Sequence, residues 1–233
     1  MMEEIVFEST HPIYVEVLSS RASRNITLRV QLRKKDTIRM RVPRNTTRDD
    51  ILAIARTNES WIRDQLEKLP PLVVPTHGES IHYQGIRCRI VPGSVPGVRI
   101  DGKVLEVGCK AAEVPREIKQ FLIGKAAGYM KPVVYGCARE LGREVREVRF
   151  RDPVSIWGSC SRAGRVTLSW RLAMAPPYVQ RAVAIHEACH LAEMNHGRRF
   201  YSLLRKFCPG YRAADRWDSD FGRTLQRYDF GDR

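Results

Sequence analysis

The run Ile185-His186-Glu187-Ala188-Cys189-His190, with His196 six residues beyond it, decides how the rest of this chain is read. The apolar segment Ala182-Val183-Ala184-Ile185 leads into it and predicts a buried helix. On a helix, four residues turn about 400° and rise about 6 Å, so His186 and His190 leave the same face and can meet at one ion. Neutral imidazole suits zinc, and three protein ligands leave one position open for water, the pattern of a catalytic site. Glu187 is one residue along from His186, where its carboxylate can take a proton from a zinc-bound water.

If the helix continued, His196 would lie about 15 Å from His186 and roughly 80° off its face. The chain must therefore leave the helix between His190 and His196 for all three histidines to ligate. Zincins with a third histidine at this spacing make the break with a glycine. Here Glu193 stands in that place, and Asn195, tolerant of left-handed backbone angles, is the expected turn residue near Met194-Asn195. Two alternatives stay open: an ordinary buried helix with hydrogen-bonded histidines, and a site whose third ligand is a distant carboxylate rather than His196.

Around this motif the chain is strongly basic, with a net charge of +14 and a pI near 9.9 over 233 residues. That balance attracts polyanions or acidic substrates over about 8–10 Å. Residues 21–44 hold nine Arg or Lys and one acidic residue, Asp36. Ile26, Leu28, Val30 and Leu32 alternate with polar residues, a turn follows at Lys34-Lys35-Asp36-Thr37, and Ile38, Met40 and Val42 alternate in turn. This is a hairpin with one apolar face and one basic face carrying Arg29, Arg39 and Arg41. Those three arginines are the candidate contacts for weak, sequence-independent binding of nucleic acid or another polyanion; a solvated strand face is the alternative.

The six cysteines form no C-x-x-C pair and read as reduced, buried thiols. No apolar run approaches the ~20 residues of a membrane helix, and the acidic start Met1-Met2-Glu3-Glu4 does not resemble a signal peptide. The expectation is a cytoplasmic protein with no membrane contact.

The rest of the chain sorts into periods. Thr47 predicts a helix cap, and Ile51, Leu52, Ile54, Ala55, Trp61, Ile62 and Leu66 form one helical stripe ended by Pro70-Pro71. Ile86, Cys88 and Ile90 alternate, and Asp101-Gly102 marks a second hairpin. Residues 115–141 are helical in pattern, with Pro132 expected to kink or divide the helix. Strands are expected at 148–151 and 166–170. These elements predict an α+β fold with a β-rich region at 1–108 and a mainly helical catalytic domain at 109–233.

Several separated segments agree with one family. Trp157-Gly158-Ser159-Cys160, Leu168-Ser169-Trp170-Arg171-Leu172, Pro176-Pro177, the His186–His190 motif and Asn195-His196-Gly197-Arg198-Arg199-Phe200 together resemble the YgjP-like metal-dependent hydrolases, relatives of the SprT-like zinc metallopeptidases. The basic hairpin and the Trp61-Ile62 helix end extend the resemblance over nearly the whole chain. It implies a zincin-like core, one zinc per chain held by His186, His190 and His196, and Glu187 as the catalytic acid and base. Ile156, Ser169 and Ala188 depart from the family pattern, which usually has Arg, often Asn, and Leu there; none of the three is a ligand.

The expected activity is a zinc-dependent hydrolase, first of all a metallopeptidase acting on a peptide or protein. The alternatives are hydrolysis of nucleotide phosphoanhydrides, or a nucleic-acid-associated protein with a structural zinc, for which Cys208 is the nearest candidate fourth ligand. Trp157 and Ser159 are candidates to line the cleft, against a tight glycine turn with a core tryptophan. Arg198 and Arg199 are candidates for a substrate carboxylate or phosphate, against solvated helix arginines.

Overall fold

Four strands make the first sheet: β1 (Met2–Phe7), β2 (Ile13–Ser20), β3 (Thr27–Val30) and β4 (Thr37–Pro43), in the order β1-β2-β4-β3. In this computed structural model residues 2–7, 12–21, 24–31, 36–69 and 71–231 are described; Leu32, Lys34, Lys35 and Pro70, used in the sequence reading, lie outside them. The predicted hairpin is present, with β3 antiparallel to β4 and Arg29 opposite Arg39. The reading missed β1 and β2. β2 runs parallel to β4, which turns the hairpin into one side of a larger sheet.

Ile13, Val15 and Val17 of β2 and Ile38, Met40 and Val42 of β4 form one buried face. Ile51, Ala55 and Ile62 cover it from α1 (Arg48–Thr57) and α2 (Glu59–Glu67). Thr47 caps α1 as expected, in a reciprocal capping box with Asp50. The single stripe is in fact two helices. The chain breaks at Asn58, whose side-chain amide donates to the carbonyl of Ile54 at 2.8 Å. Such local bonding by asparagine competes with the helix, and Trp61 points outward with 45% exposure while Ile62 is buried.

The second sheet contains β5 (Ser80–Tyr83), β6 (Ile86–Pro92), β7 (Gly97–Asp101) and β8 (Val104–Gly108) in the order β5-β6-β8-β7. The Asp101-Gly102 turn joins β7 to β8, with Gly102 at φ 54°, the left-handed region glycine favours. Behind it runs α3 (Val114–Glu140), in one piece through Pro132. Ile118, Leu122, Ala126, Met130 and Val134 recur every fourth residue and bury one stripe along its length. The third sheet, order β10-β11-β9, is built from β9 (Glu147–Arg151), β10 (Gly158–Cys160) and β11 (Arg165–Ser169).

The C-terminal helices are α4 (Pro177–Cys189), α5 (Arg198–Phe207) and α6 (Tyr211–Phe221). Pro177 opens α4, where a missing N–H costs nothing, and Gln180 donates to the carbonyl of Ala175 at 2.8 Å. Helix α4 buries Val179, Ala182, Ala184, Ile185, Ala188 and Cys189, so it lies within the core rather than on it. Small alanines let α3 and α4 approach closely.

Among the described residues, six α-helices and three mixed sheets make the fold α+β. The chain divides into two compact units, Met1–Leu72 and Val73–Arg233. The division expected at 108 falls inside the second unit because Ile81, Ile90 and Leu105 share a core with Ile118, Leu122 and Ile185.

Candidate metal centre

Helix α4 ends at Cys189 with His190 as its cap, earlier than the break expected near Met194-Asn195. Its last turn tightens: Leu191 donates to Ala188, and both Ala192 and Glu193 donate to Cys189, each at 3.0 Å. These bonds satisfy carbonyls that the stopped helix leaves open. Asn195 keeps a negative φ, so it is not the left-handed turn residue the sequence suggested. The carbonyl of Asn195 accepts from Gly197 at 2.7 Å, and α5 starts directly after. The loop from 191 to 197 thereby swings His196 back over α4.

The outcome is a cluster. The ligand atoms of His186, His190 and His196 lie within 4.8 Å of one another, and among the described residues they are the whole group. Cys208 is buried in the core and is not part of it. The Nε2 atoms of His186 and His196 are 3.0 Å apart. The Nδ1 of His190 lies 3.0 Å from the carbonyl of Glu193, which as acceptor fixes that ring so that its other nitrogen faces the cluster. Burial, with His190 and His196 adding, pushes the pKa of His186 down to about 4, and burial first also lowers that of His190. Both rings are therefore neutral near pH 7, the form that ligates a metal. This geometry fits a metal ion with imidazole preference.

Phe200 was quoted in the sequence motif without a role. It is fully buried, and all three imidazoles pack around its ring, with centroids at 4.9 Å (His186), 4.5 Å (His190, stacked) and 4.7 Å (His196). The aromatic ring limits how far any of the three can rotate.

Glu187 points from the buried side of α4. It is only 6% exposed, and its Oε2 is buried without a hydrogen-bond partner. Burial pushes its carboxyl up to about 7; a cation on the neighbouring histidines would favour the ionised form. Against Glu187 lies Gly158. A Cβ there would stand 2.6 Å from Glu187 Cγ and 2.7 Å from its Oε1, so only glycine lets β10 come this close. The segment expected as a turn is thus an edge strand, and its glycine is a contact residue of the carboxylate. Its sequence could not reveal that, because Glu187 lies 29 residues further on.

Trp157 borders a cavity of about 230 Å³ that also reaches Gly158, His186 and Glu187. Its indole Nε1–H donates to Asp218 on α6. Ser159 is exposed, sits opposite Thr167 in the ladder and is not one of that cavity's lining residues. Burial, then Glu187, pushes the Cys160 thiol up to about 11, which disfavours the nucleophilic thiolate. Arg198 and Arg199 stand exposed at the start of α5, and Arg199 is 4.0 Å from the Glu193 carboxylate. Arg198 lines an open cleft with His196, Arg205 and Arg212. Arg29, Arg39 and Arg41 belong to the first unit. There Arg39 bonds the buried Glu16 at 2.8 Å, so one of the three charges is already answered.

An α+β core thus gathers three histidines and a buried glutamate in one place. The sequence profile of the YgjP-like metallopeptidase domain matches residues 25–217. The chain belongs to the YgjP-like family and is a metal-dependent peptidase. Among solved structures, it is similar to the crystal structure of the metallopeptidase zymogen abylysin of Pyrococcus abyssi, at 23% identity and a TM-score of 0.36, over 42% of this chain and 97% of that one. No curated protein matches it. None of these findings supports binding of nucleic acid. Among the described residues no helix is long and apolar enough to cross a membrane.

Proposed function

We propose that the protein is a zinc-dependent peptidase in which His186, His190 and His196 hold one zinc ion per chain and Glu187 is the general base and acid. The observation that carries this is the unpartnered Oε2 of Glu187, buried one residue from a cluster of three histidine nitrogens. A buried carboxylate oxygen without a donor is costly and is kept where function needs it. When bound, zinc supplies a Lewis acid and brings water to a pKa of about 7. Glu187 accepts the proton of the attacking water on Oε2 and delivers it to the departing amine. The absence of a side chain at Gly158 leaves the space that the glutamate's Cγ and Oε1 occupy beside β10. Strand β10 is the edge of its sheet, so its outer backbone groups can pair with an extended peptide and lay the scissile bond beside Glu187.

The arginines at 198, 205 and 212 around the cleft next to His196 favour a second reading, hydrolysis of a nucleotide phosphoanhydride. One assay decides between them. Zinc-loaded protein is offered unfolded proteins, protein bound to DNA, and nucleoside triphosphates, with Glu187→Gln as control. Cleavage of polypeptide that is lost in the variant supports the peptidase; phosphate release alone supports the second reading. Elemental analysis of the same preparations is expected to give about one zinc per chain, retained in Glu187→Gln and lost in His186→Ala, His190→Ala or His196→Ala.

A further inference from the structure

The cavity beside Glu187 is lined by acidic side chains in a strongly basic chain. The chain carries +14 overall, yet no Lys or Arg lines this cavity: besides His186 and Glu187 it is lined by the phenol of Tyr211 and by two carboxylates, Asp215 and Asp218 of α6. Neither forms an ion pair with Arg, Lys or His among the described residues. Asp218 is half-buried, and burial raises its carboxyl above the ordinary range although the Trp157 indole donates to it. Asp215 is exposed. The remaining wall is apolar, built from Val179, Ala182, Val183 and Leu204 with the Trp157 ring. Its volume of about 230 Å³ is below the roughly 300–1,000 Å³ of pockets that enclose a whole small ligand. One long side chain is the natural occupant.

From this arrangement we infer that the cavity is a specificity pocket for a basic side chain, lysine or arginine, of the residue flanking the scissile bond. Long basic side chains have an aliphatic stem and a charged head. The stem suits a wall of valine, alanine and leucine, while the head remains with polar groups. Asp218 and Asp215 supply the counter-charge for the cationic head. The indole N–H donated to Asp218 fixes both partners before substrate arrives, so little ordering is left to the binding step. Uncharged side chains would leave the Asp218 carboxylate desolvated without a cation, and acidic ones would repel it. This assignment rests on the peptidase reading and names its substrate class.

The test uses the zinc-loaded full chain and peptides identical except at the one position next to the cleaved bond, carrying Arg, Lys, norleucine or Glu. The expected result is a kcat/KM at least about 10-fold higher for Arg or Lys than for norleucine, with Glu lowest. In Asp218→Asn, which keeps the acceptor for Trp157, and in Asp215→Asn, that ratio is expected to fall towards unity while norleucine cleavage persists. Equal rates for all four peptides in the parent protein would overturn the inference and leave the peptidase reading intact. If no peptide is cut, titration of the same peptides into zinc-loaded Glu187→Gln decides. Tighter binding of the basic peptides that is lost in the added Asp218→Asn change upholds the pocket, and indifferent binding overturns it. Which of Arg and Lys binds better distinguishes the two heads.

Discussion

The two units of this chain bury their polar groups differently. In the first, Glu16 lies only 3% exposed in the sheet and is met by Arg39 from the neighbouring strand at 2.8 Å. In the second, Arg171 is 2% exposed and fully engaged. Its Nε and Nη2 donate to Asp152, and its Nη1 donates to the carbonyls of Leu225 and Tyr228. Glu187, in the same unit, is buried almost as deeply and its Oε2 has no partner at all. A buried charge that is answered holds structure together, and one left unanswered beside three imidazoles is available for chemistry.

The largest expected effect breaks that contrast at its unanswered member. Glu187→Gln removes the proposed base while keeping the shape, so hydrolysis should fall by about 10²–10⁴-fold with folding and metal content preserved. A steady-state assay beside elemental analysis checks it; retained turnover would mean that the glutamate is not the base.

The answered member should respond in the opposite way. Asp152→Ala leaves the Arg171 guanidinium buried with only two carbonyls, and should cost about 3 kcal/mol of stability. Urea unfolding of the full chain measures this. A loss of activity without a loss of stability would show that the pair serves the site instead.

Gly158→Ala sharpens the reading of Glu187 from outside. The added Cβ must displace a carboxylate that would otherwise lie 2.7 Å from it, and activity is expected to drop about 10-fold with the zinc content unchanged. The smallest effect belongs to the first unit. Thr47→Ala removes the cap of α1 and should cost about 1 kcal/mol, seen as a lower urea midpoint, with no change in activity.

Much of the molecule was legible from local pattern. The fourfold spacing of Ile118, Leu122, Ala126 and Met130 announces α3, Asp101-Gly102 announces its hairpin, and Thr47 its cap. Strands β1 and β2 were not read, although Ile13, Val15 and Val17 alternate with Tyr14 and Glu16 in β2; that Glu16 is buried and met by Arg39 depends on β4 lying beside it, which no local pattern shows. Asn195 drew attention as a turn former, but short hydrogen bonds from 191 to 193 had already ended the helix with ordinary negative φ.

The sequence by itself determined that His186 and His190 share a face and that Glu187 stands beside them, since 3.6 residues per turn fixes those directions wherever the helix lies. It also determined that His196 could join them only through a break in the helix. The tertiary structure alone decided what surrounds them. Phe200 packs under the three rings, Gly158 lies against the glutamate, and Asp218 meets Trp157 from 61 residues away. Such contacts depend on how whole elements dock, and docking is set by complementary volume over the entire core rather than by the residues adjacent in the chain.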